Sequence, residues 1–417
     1  MATVFDFTQG QGLFKRLYAD KVVNMTPEHI YIMKEAKPTP PGPGESYQQA
    51  VVLANEQGDT FEEPDTAGAF AIYQPEAGVV RQTTVKGYQY LLRSTLSYEA
   101  IYRSQKNEQA FIQATKHVVK NMIKTAYNMQ EATALWGQFH KGIIDAVPTA
   151  TTVTITDATF ASGLWFGMVG RTYSIYSTAF GALRGTAKVT AVNIRSRTIT
   201  FDELPAGTIA GDYLDFRGGP TKQMVGLYKI MTTAAGSLFG IDNTNYELWR
   251  SDTAYSAGAA PLTFGKLLEG IAEAGELGLG DEIGEIDVLV APRTWNSLNT
   301  DAAALKRNDA SYKGSKFENG HEVLELFSNV GVIRIISHRQ MMNGFAMIMP
   351  KCAKSMQIVG SQPSPTFAVP GMTKDGAEYL KPMENNAGVE TRLYWNSQLF
   401  TEEVPHLKLI NDIVNPS

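Results

Sequence analysis

Cys352 stands between Lys351 and Lys354 as the one thiol in 417 residues, and two ammonium groups that near can lower a thiol's pKa toward a reactive thiolate. A lone cysteine among lysines is more often incidental, and no Gly-x-Ser-x-Gly elbow accompanies it. The six histidines, His29, His117, His140, His321, His338 and His406, are scattered, with no pair at helical ligand spacing and no cysteine or acid cluster of metal-site form. No zinc site is expected. A Gly-x-x-x-x-Gly-Lys-Ser/Thr loop is absent, and the glycine-rich run from Gly275 to Gly280 follows a helical pattern rather than a strand, the wrong context for a pyrophosphate cradle. It reads as a turn. Carboxylates cannot be paired from sequence, so an acid/base dyad is neither found nor excluded. The expectation is a chain that is not an enzyme, with no catalytic, cofactor-binding or metal-ligating residues and no cofactor.

Charge is distributed more tellingly. From Pro38 through Val80 there is no Lys or Arg, while Glu45, Glu56, Asp59, Glu62, Glu63, Asp65 and Glu76 make the segment strongly acidic. Its ends read as strands, Gln48 to Ala54 and Phe70 to Gln74 running into Val79 to Tyr90, with a turn-rich middle, which predicts a long two-stranded hairpin. Two strands alone are marginal in water, so the hairpin must lie on something, and its charge calls for a locally basic surface. A solvated acidic loop is the other reading. Lys116, Lys120 and Lys124 stack at i, i+4 and i+8 into one basic stripe, a pattern that is most often merely solvated.

The elements that position these groups follow from periodicity. No proline occurs between Pro75 and Pro148, and apolar residues recur from Phe111 to Trp136 at three-to-four spacing, predicting one helix over about Gln105 to Trp136. It would be about 48 Å long, a structural beam, with Ser104 or Asn107 as cap and Gly137 as left-handed stop. Residues 1–36 show no sustained period and read as an extended arm; Pro38, Pro40, Pro41 and Pro43 then mark a stiff linker. Residues 150–219 hold five short β-branched strands separated by Gly, Pro and Asp turns, a small barrel or sandwich closed by Gly218-Gly219-Pro220. Beyond it a helix from Thr263 to Leu277, the buried-strand run Asp287 to Ala291, a helix beginning at Pro292, and strands at Val332–Ile336, Phe345–Met349, Glu390–Trp395 and Glu402–Ile410 give an α+β body.

Length allows two or three compact units without disulfide help. The formal charge of −5 argues against a freely basic nucleic-acid-binding module, so any contact with nucleic acid is expected to be local. One cysteine and an amino terminus without a basic start and apolar core predict no signal peptide and a reducing setting, and no run reaches the ~20 apolar residues of a membrane helix. Asn24-Met25-Thr26 fits the glycosylation pattern, which needs a secretory route. Charged residues are only 19% of the chain, which leaves much surface uncharged, as when neighbouring subunits cover it.

This order of arm, acidic hairpin, beam-like helix, mixed domain and returning carboxyl-terminal strand resembles the major capsid proteins of tailed bacteriophages, a fold shared with herpesvirus shells. The resemblance rests on Val79 to Tyr98 leading into the helix, on Trp136-Gly137 followed by Lys141-Gly142-Ile143, and on Val288 to Pro292 with Trp295. It implies an α+β capsid fold with an amino-terminal arm at 1–36, an extended loop at 37–85, a peripheral domain with the spine helix at 86–149, a β insertion at 150–219, an axial domain at 220–345 and a return to the peripheral domain at 346–417. The implied function is a structural protein that self-assembles into hexamers and pentamers of an icosahedral shell enclosing phage double-stranded DNA. It would reside in the virion after assembly in host cytoplasm, with no membrane partner, a separate scaffold protein and portal, weak non-specific contact with packaged DNA, and a decoration protein as a further possible partner. Glu56, Asp59, Glu62, Glu63 and Asp65 of the loop, with Lys86, Arg93, Arg103 and Lys106 as basic counterparts, are the implied inter-subunit contacts. Lys116, Lys120 and Lys124 would face the DNA. Some members join subunits by an isopeptide bond from a loop lysine, and the absence of lysine from Pro38 to Val85 predicts no such bond here. The alternatives are a hydrolytic or carbohydrate-active enzyme with a β accessory module, or another virion component such as a tail or portal protein.

Overall fold

The computed structural model describes residues 30–39, 46–63, 69–97, 99, 114–308, 324–328, 330–367, 380–383 and 387–416. Its beam is the helix Ala114–Trp136; residues 105–113 of the predicted helix lie outside the described residues. Met122, Ala126 and Met129 bury one stripe, and from Asn128 to Trp136 nearly every side chain is buried, so the helix plunges into the molecule at its carboxyl end. The left-handed residue that follows is Gln138 (φ 59), not the expected Gly137. Gly137 is required for another reason: a Cβ there would sit 2.1 Å from the Met224 carbonyl oxygen, because the Met224–Gly226 segment passes directly against the helix end.

A sheet packs against this helix. Its longest strand, Gly388–Thr401, pairs with Met356–Thr366, Leu380–Pro382 and Tyr88–Ser97, and Lys37–Pro38 adds a parallel strand to Met356–Thr366. Tyr127 on the helix meets Trp395 on the sheet edge-to-face at 4.9 Å. The Tyr88–Ser97 strand alternates half-buried and exposed residues, as expected of a strand with one wet face.

After the helix the chain closes a six-stranded barrel, in the order Tyr213–Phe216, Gly142–Thr149, Thr152–Ile155, Thr198–Phe201, Leu183–Asn193 and Thr172–Tyr176. Five of these strands match the five read from sequence; Gly142–Thr149 is an addition that starts directly after the helix turn. Val153, Ile155, Tyr173, Ile175, Val189, Ile199, Phe201 and Leu214 point inward and are buried, with Trp165 stacked on Tyr173 at 4.6 Å. The remaining layer is a six-stranded sheet in the order Tyr255–Ala260, Lys408–Ile413, Ala346–Pro350, Glu285–Val290, Gly331–Ser337 and Leu324–Ser328. Glu285–Val290 lies centrally, with a parallel neighbour on one side and an antiparallel one on the other, which explains why Ile286 and Val288 to Val290 are all buried. The helix Phe264–Glu276 covers this sheet with Leu267, Ile271 and Ala274, and Thr263 Oγ1 caps it by accepting from the Lys266 amide.

Candidate assembly surfaces

The acidic segment is a limb with a fixed root and an uncovered end. Ala50–Ala54 pairs with Val79–Gln82, and single bridges at Tyr47 with Val85 and Gln57 with Glu76 extend the ladder in both directions. Phe70 to Gln74, expected as strand, has no regular structure; the Tyr73 amide donates to the Thr60 hydroxyl rather than to a ladder carbonyl, and Pro75 has no amide to donate. At the root, Leu53, Thr83 and Val85 are buried, the Thr84 amide donates to the Phe239 carbonyl, Tyr47 packs edge-to-face on Phe400, and Arg81 Nε donates to the Tyr246 hydroxyl at 3.2 Å.

Beyond the root the surface is apolar as well as acidic. Phe61 is 89% exposed, Ile72 79% and Tyr73 67%, with Phe70, Val52 and Val80 about half exposed. Covering Phe61, Ile72 and Tyr73 is worth roughly 4–9 kcal/mol in total, whereas an exposed ion pair is worth about 0.2–1 kcal/mol. The apolar side chains therefore outweigh the acids in what this limb would gain from a covering surface. Sequence reasoning singled out the acids and missed Phe61, Ile72 and Tyr73, whose one signal was large apolar residues inside a segment without periodicity.

Of the predicted contacts, Glu56, Asp59, Glu62 and Glu63 are exposed on the limb, while Asp65, Arg103 and Lys106 lie outside the described residues. Lys86 is exposed at the limb's root. Arg93 is exposed on the Tyr88–Ser97 strand, where its Nε lies 3.6 Å from Glu390 of the same chain, so it already has an internal partner. Among the lysines of the helical stripe, Lys120 is exposed and Lys124 half-buried; the Lys116 side chain lies outside the described residues.

The ionisable groups in the interior hold parts together. Glu131, fully buried on the long helix, accepts the backbone amides of Tyr31, Ile32 and Met33 at 3.0, 2.9 and 2.8 Å, and His338 Nε2 lies 3.2 Å from it. The amide donors are the first turn of a short helix, Ile32–Glu35, so the end of the expected extended arm is instead a helical plug on a buried carboxylate. Asp287 accepts from the Tyr31 hydroxyl at 2.6 Å, the Arg334 guanidinium at 2.9 and 2.5 Å and the Cys352 amide at 2.8 Å. Lys141 and Asp215, both fully buried, pair at 3.0 Å between helix end and barrel, and the Lys141 ammonium also donates to the Trp136 and Phe139 carbonyls. Burial lowers the Lys141 pKa and Asp215 opposes that shift.

Cys352 is buried, and burial first, then the Glu131 and Asp287 carboxylates, push its thiol up. Lys351 and Lys354 turn to Glu285 instead, holding that carboxyl at about 2, so the activating contact considered from sequence does not form. Among the described residues no group of three or more His, Cys, Asp and Glu is placed to hold a metal ion, and no helix is long and apolar enough to cross a membrane.

No protein-family model and no curated protein matches the sequence. Among solved structures, the capsid asymmetric unit of Cyanophage A-1(L) is similar with a TM-score of 0.57 at 11% identity, over 96% of this chain and 98% of that one. The capsid of the native GTA particle is similar with a TM-score of 0.50 at 8% identity, over 99% and 100%. Identities this low speak to architecture. With its limb, long helix, barrel and two sheets, the chain has the α+β fold of tailed-phage major capsid proteins.

Proposed function

We propose that this chain is the structural subunit of a phage shell, assembling with copies of itself into hexamers and pentamers that close an icosahedral particle around double-stranded DNA. The observation that carries the reading is the limb: an acidic hairpin whose end exposes Phe61, Ile72 and Tyr73, built on a fold shared with capsid subunits. A two-stranded ribbon with large apolar side chains in water is stabilised by another surface, and a second copy of the same chain always supplies one in a closed symmetric ring. Repetition around the ring turns a modest contact into a strong assembly. Lys120 and Lys124, on the more open side of the long helix, suit a weak, sequence-independent contact with packaged nucleic acid. A scaffold protein, a portal and a decoration protein belong to the same reading, as does residence in the virion after assembly in host cytoplasm. Subunits are expected to separate on a denaturing gel, since the limb carries no lysine to form an isopeptide bond.

Deleting residues 58–68 tests this. The account expects a folded subunit, with unchanged far-ultraviolet circular dichroism, that forms no rings or shells by negative-stain microscopy. Normal shells from the deleted chain would refute the role of the limb. Tubes or single rings from the intact protein would point to a tail or portal part instead.

A further inference from the structure

We propose that Lys141, Asp215 and Gln223 form a buried register lock, which fixes where the barrel's first strand closes on its last and ties that seam to the end of the long helix. The lock concerns the single subunit and does not depend on the shell reading above.

The seam itself is short. Tyr213–Phe216, the last strand, pairs with the first, Gly142–Thr149, over only two residues, Tyr213 opposite Ile143 and Leu214 opposite Gly142. Every other seam of the barrel is longer, and the far side of the same strand pairs with Thr172–Tyr176 over four residues. A slip of one residue would turn Leu214 outward, but a slip of two would leave the same side chains facing the core. Periodicity therefore leaves the closing register open by two residues. The chain beyond imposes no register of its own: Gly218 and Gly219, at φ 114 and 88, follow directly, and a Cβ on Gly218 would meet nothing within 4 Å.

Side chains close that gap. Lys141 directly precedes the first strand and Asp215 lies in the last, both fully buried with their charged atoms 3.0 Å apart. The same ammonium donates to the Trp136 and Phe139 carbonyls at the helix end, at 2.8 and 2.6 Å, and to Gln223 Oε1 at 3.0 Å. Gln223 Nε2 in turn donates to both Asp215 oxygens at 3.0 and 2.9 Å, and the Phe216 amide donates to Oδ1 at 2.8 Å. A two-residue slip moves Asp215 by roughly 7 Å and would leave two unpaired charges in the interior. In the native register the pair largely offsets its own desolvation, so its weight falls on excluding the slipped one. The barrel's other tie to the body runs from the Gly163 amide to the Arg339 carbonyl and from the Gly344 amide to the Ala158 carbonyl, both at 2.8 Å. Those residues lie outside the two closing strands and do not set the seam.

The test uses the full chain as dispersed subunits and compares Lys141→Met with the triple change Lys141→Met, Asp215→Leu and Gln223→Leu. The single change leaves the Asp215 carboxylate buried without its cation and should lower the urea midpoint sharply. The triple change removes the charges together and should recover most of that midpoint. In it, backbone amides of peptides covering 141–146 and 211–217 should exchange at least tenfold faster than in the parent, while those at Val153 and Ile199 keep their protection. Parent-like protection of the seam in the triple variant would mean that register is set without the lock. A triple variant that is as unstable as the single one, or that does not fold, would make the three residues ordinary stabilisers. A single variant with the parent's midpoint and exchange would leave them no role. Each of these three results overturns the proposal.

Discussion

Two extensions leave the body of this molecule, and they are settled in opposite ways. The segment at residues 30–39 finds its seat at home: Ile32 and Met33 are buried, Glu131 accepts three successive amides, and Lys37–Pro38 joins a sheet. Among the described residues, the limb at 55–63 and 69–77 has no such seat, and leaves Phe61 and Ile72 in solvent. What separates them is the supply of complementary groups on the same chain rather than anything in their local sequence. A buried carboxylate can organise four residues that are too few to hold a helical turn alone, whereas apolar side chains on an isolated ribbon cannot bury one another. The first extension belongs to the fold, and the second, in the function proposed above, to the assembly.

That contrast is broken most severely by removing the limb's apolar end. Phe61→Ser with Ile72→Ser and Tyr73→Ser should abolish assembly, losing roughly 4–9 kcal/mol per docked limb, while subunit stability in urea changes by less than about 0.5 kcal/mol. Glu131→Ala should do the reverse. Three amides, those of Ile32 and Met33 buried, lose their acceptor, which predicts a loss of about 3–5 kcal/mol in subunit unfolding, measured by urea titration under conditions that keep the subunit dispersed. Equal effects of the two changes on subunit stability would erase the distinction.

How much of this was legible in the sequence follows the same division. The helix to Trp136, the Val288–Val290 strand and the five later barrel strands were readable because local periodicity and burial agree there. The Ile32–Glu35 helix was not, because its cause is a carboxylate 99 residues away from Ile32. Gly142–Thr149 was hidden because it follows the helix turn directly and contains Pro148, which argues against strand. Gly137 was correctly singled out for the wrong reason, since close approach to Met224 is visible only in three dimensions. Of the candidate contacts, the acids of the limb carried a sign that sequence reveals, but which apolar residues stay uncovered depends on what the rest of the chain fails to offer.

Finer effects sharpen the comparison. His140 is buried beside Lys141, and burial, then that charge, lowers its pKa from 6.5 to about 3. Between those values only the unfolded chain binds the proton, so subunit stability should decline as pH falls from about 6.5 toward 3. His140→Phe should make that decline shallower in urea titrations across the range; an unchanged slope would assign it to other groups. Arg93→Ala, at an exposed pair with Glu390, should shift subunit stability by no more than about 1 kcal/mol. A larger loss would mean the edge strand depends on that pair.

Hydrogen exchange of the backbone amides at residues 55–77, followed by mass spectrometry in dispersed subunits and in assembled particles, addresses the central claim most directly. The account predicts fast exchange in the dispersed subunit, strong protection in the particle, and slow exchange at Ile32 and Met33 in both. Protection of the limb in the dispersed subunit, or none gained on assembly, would contradict it.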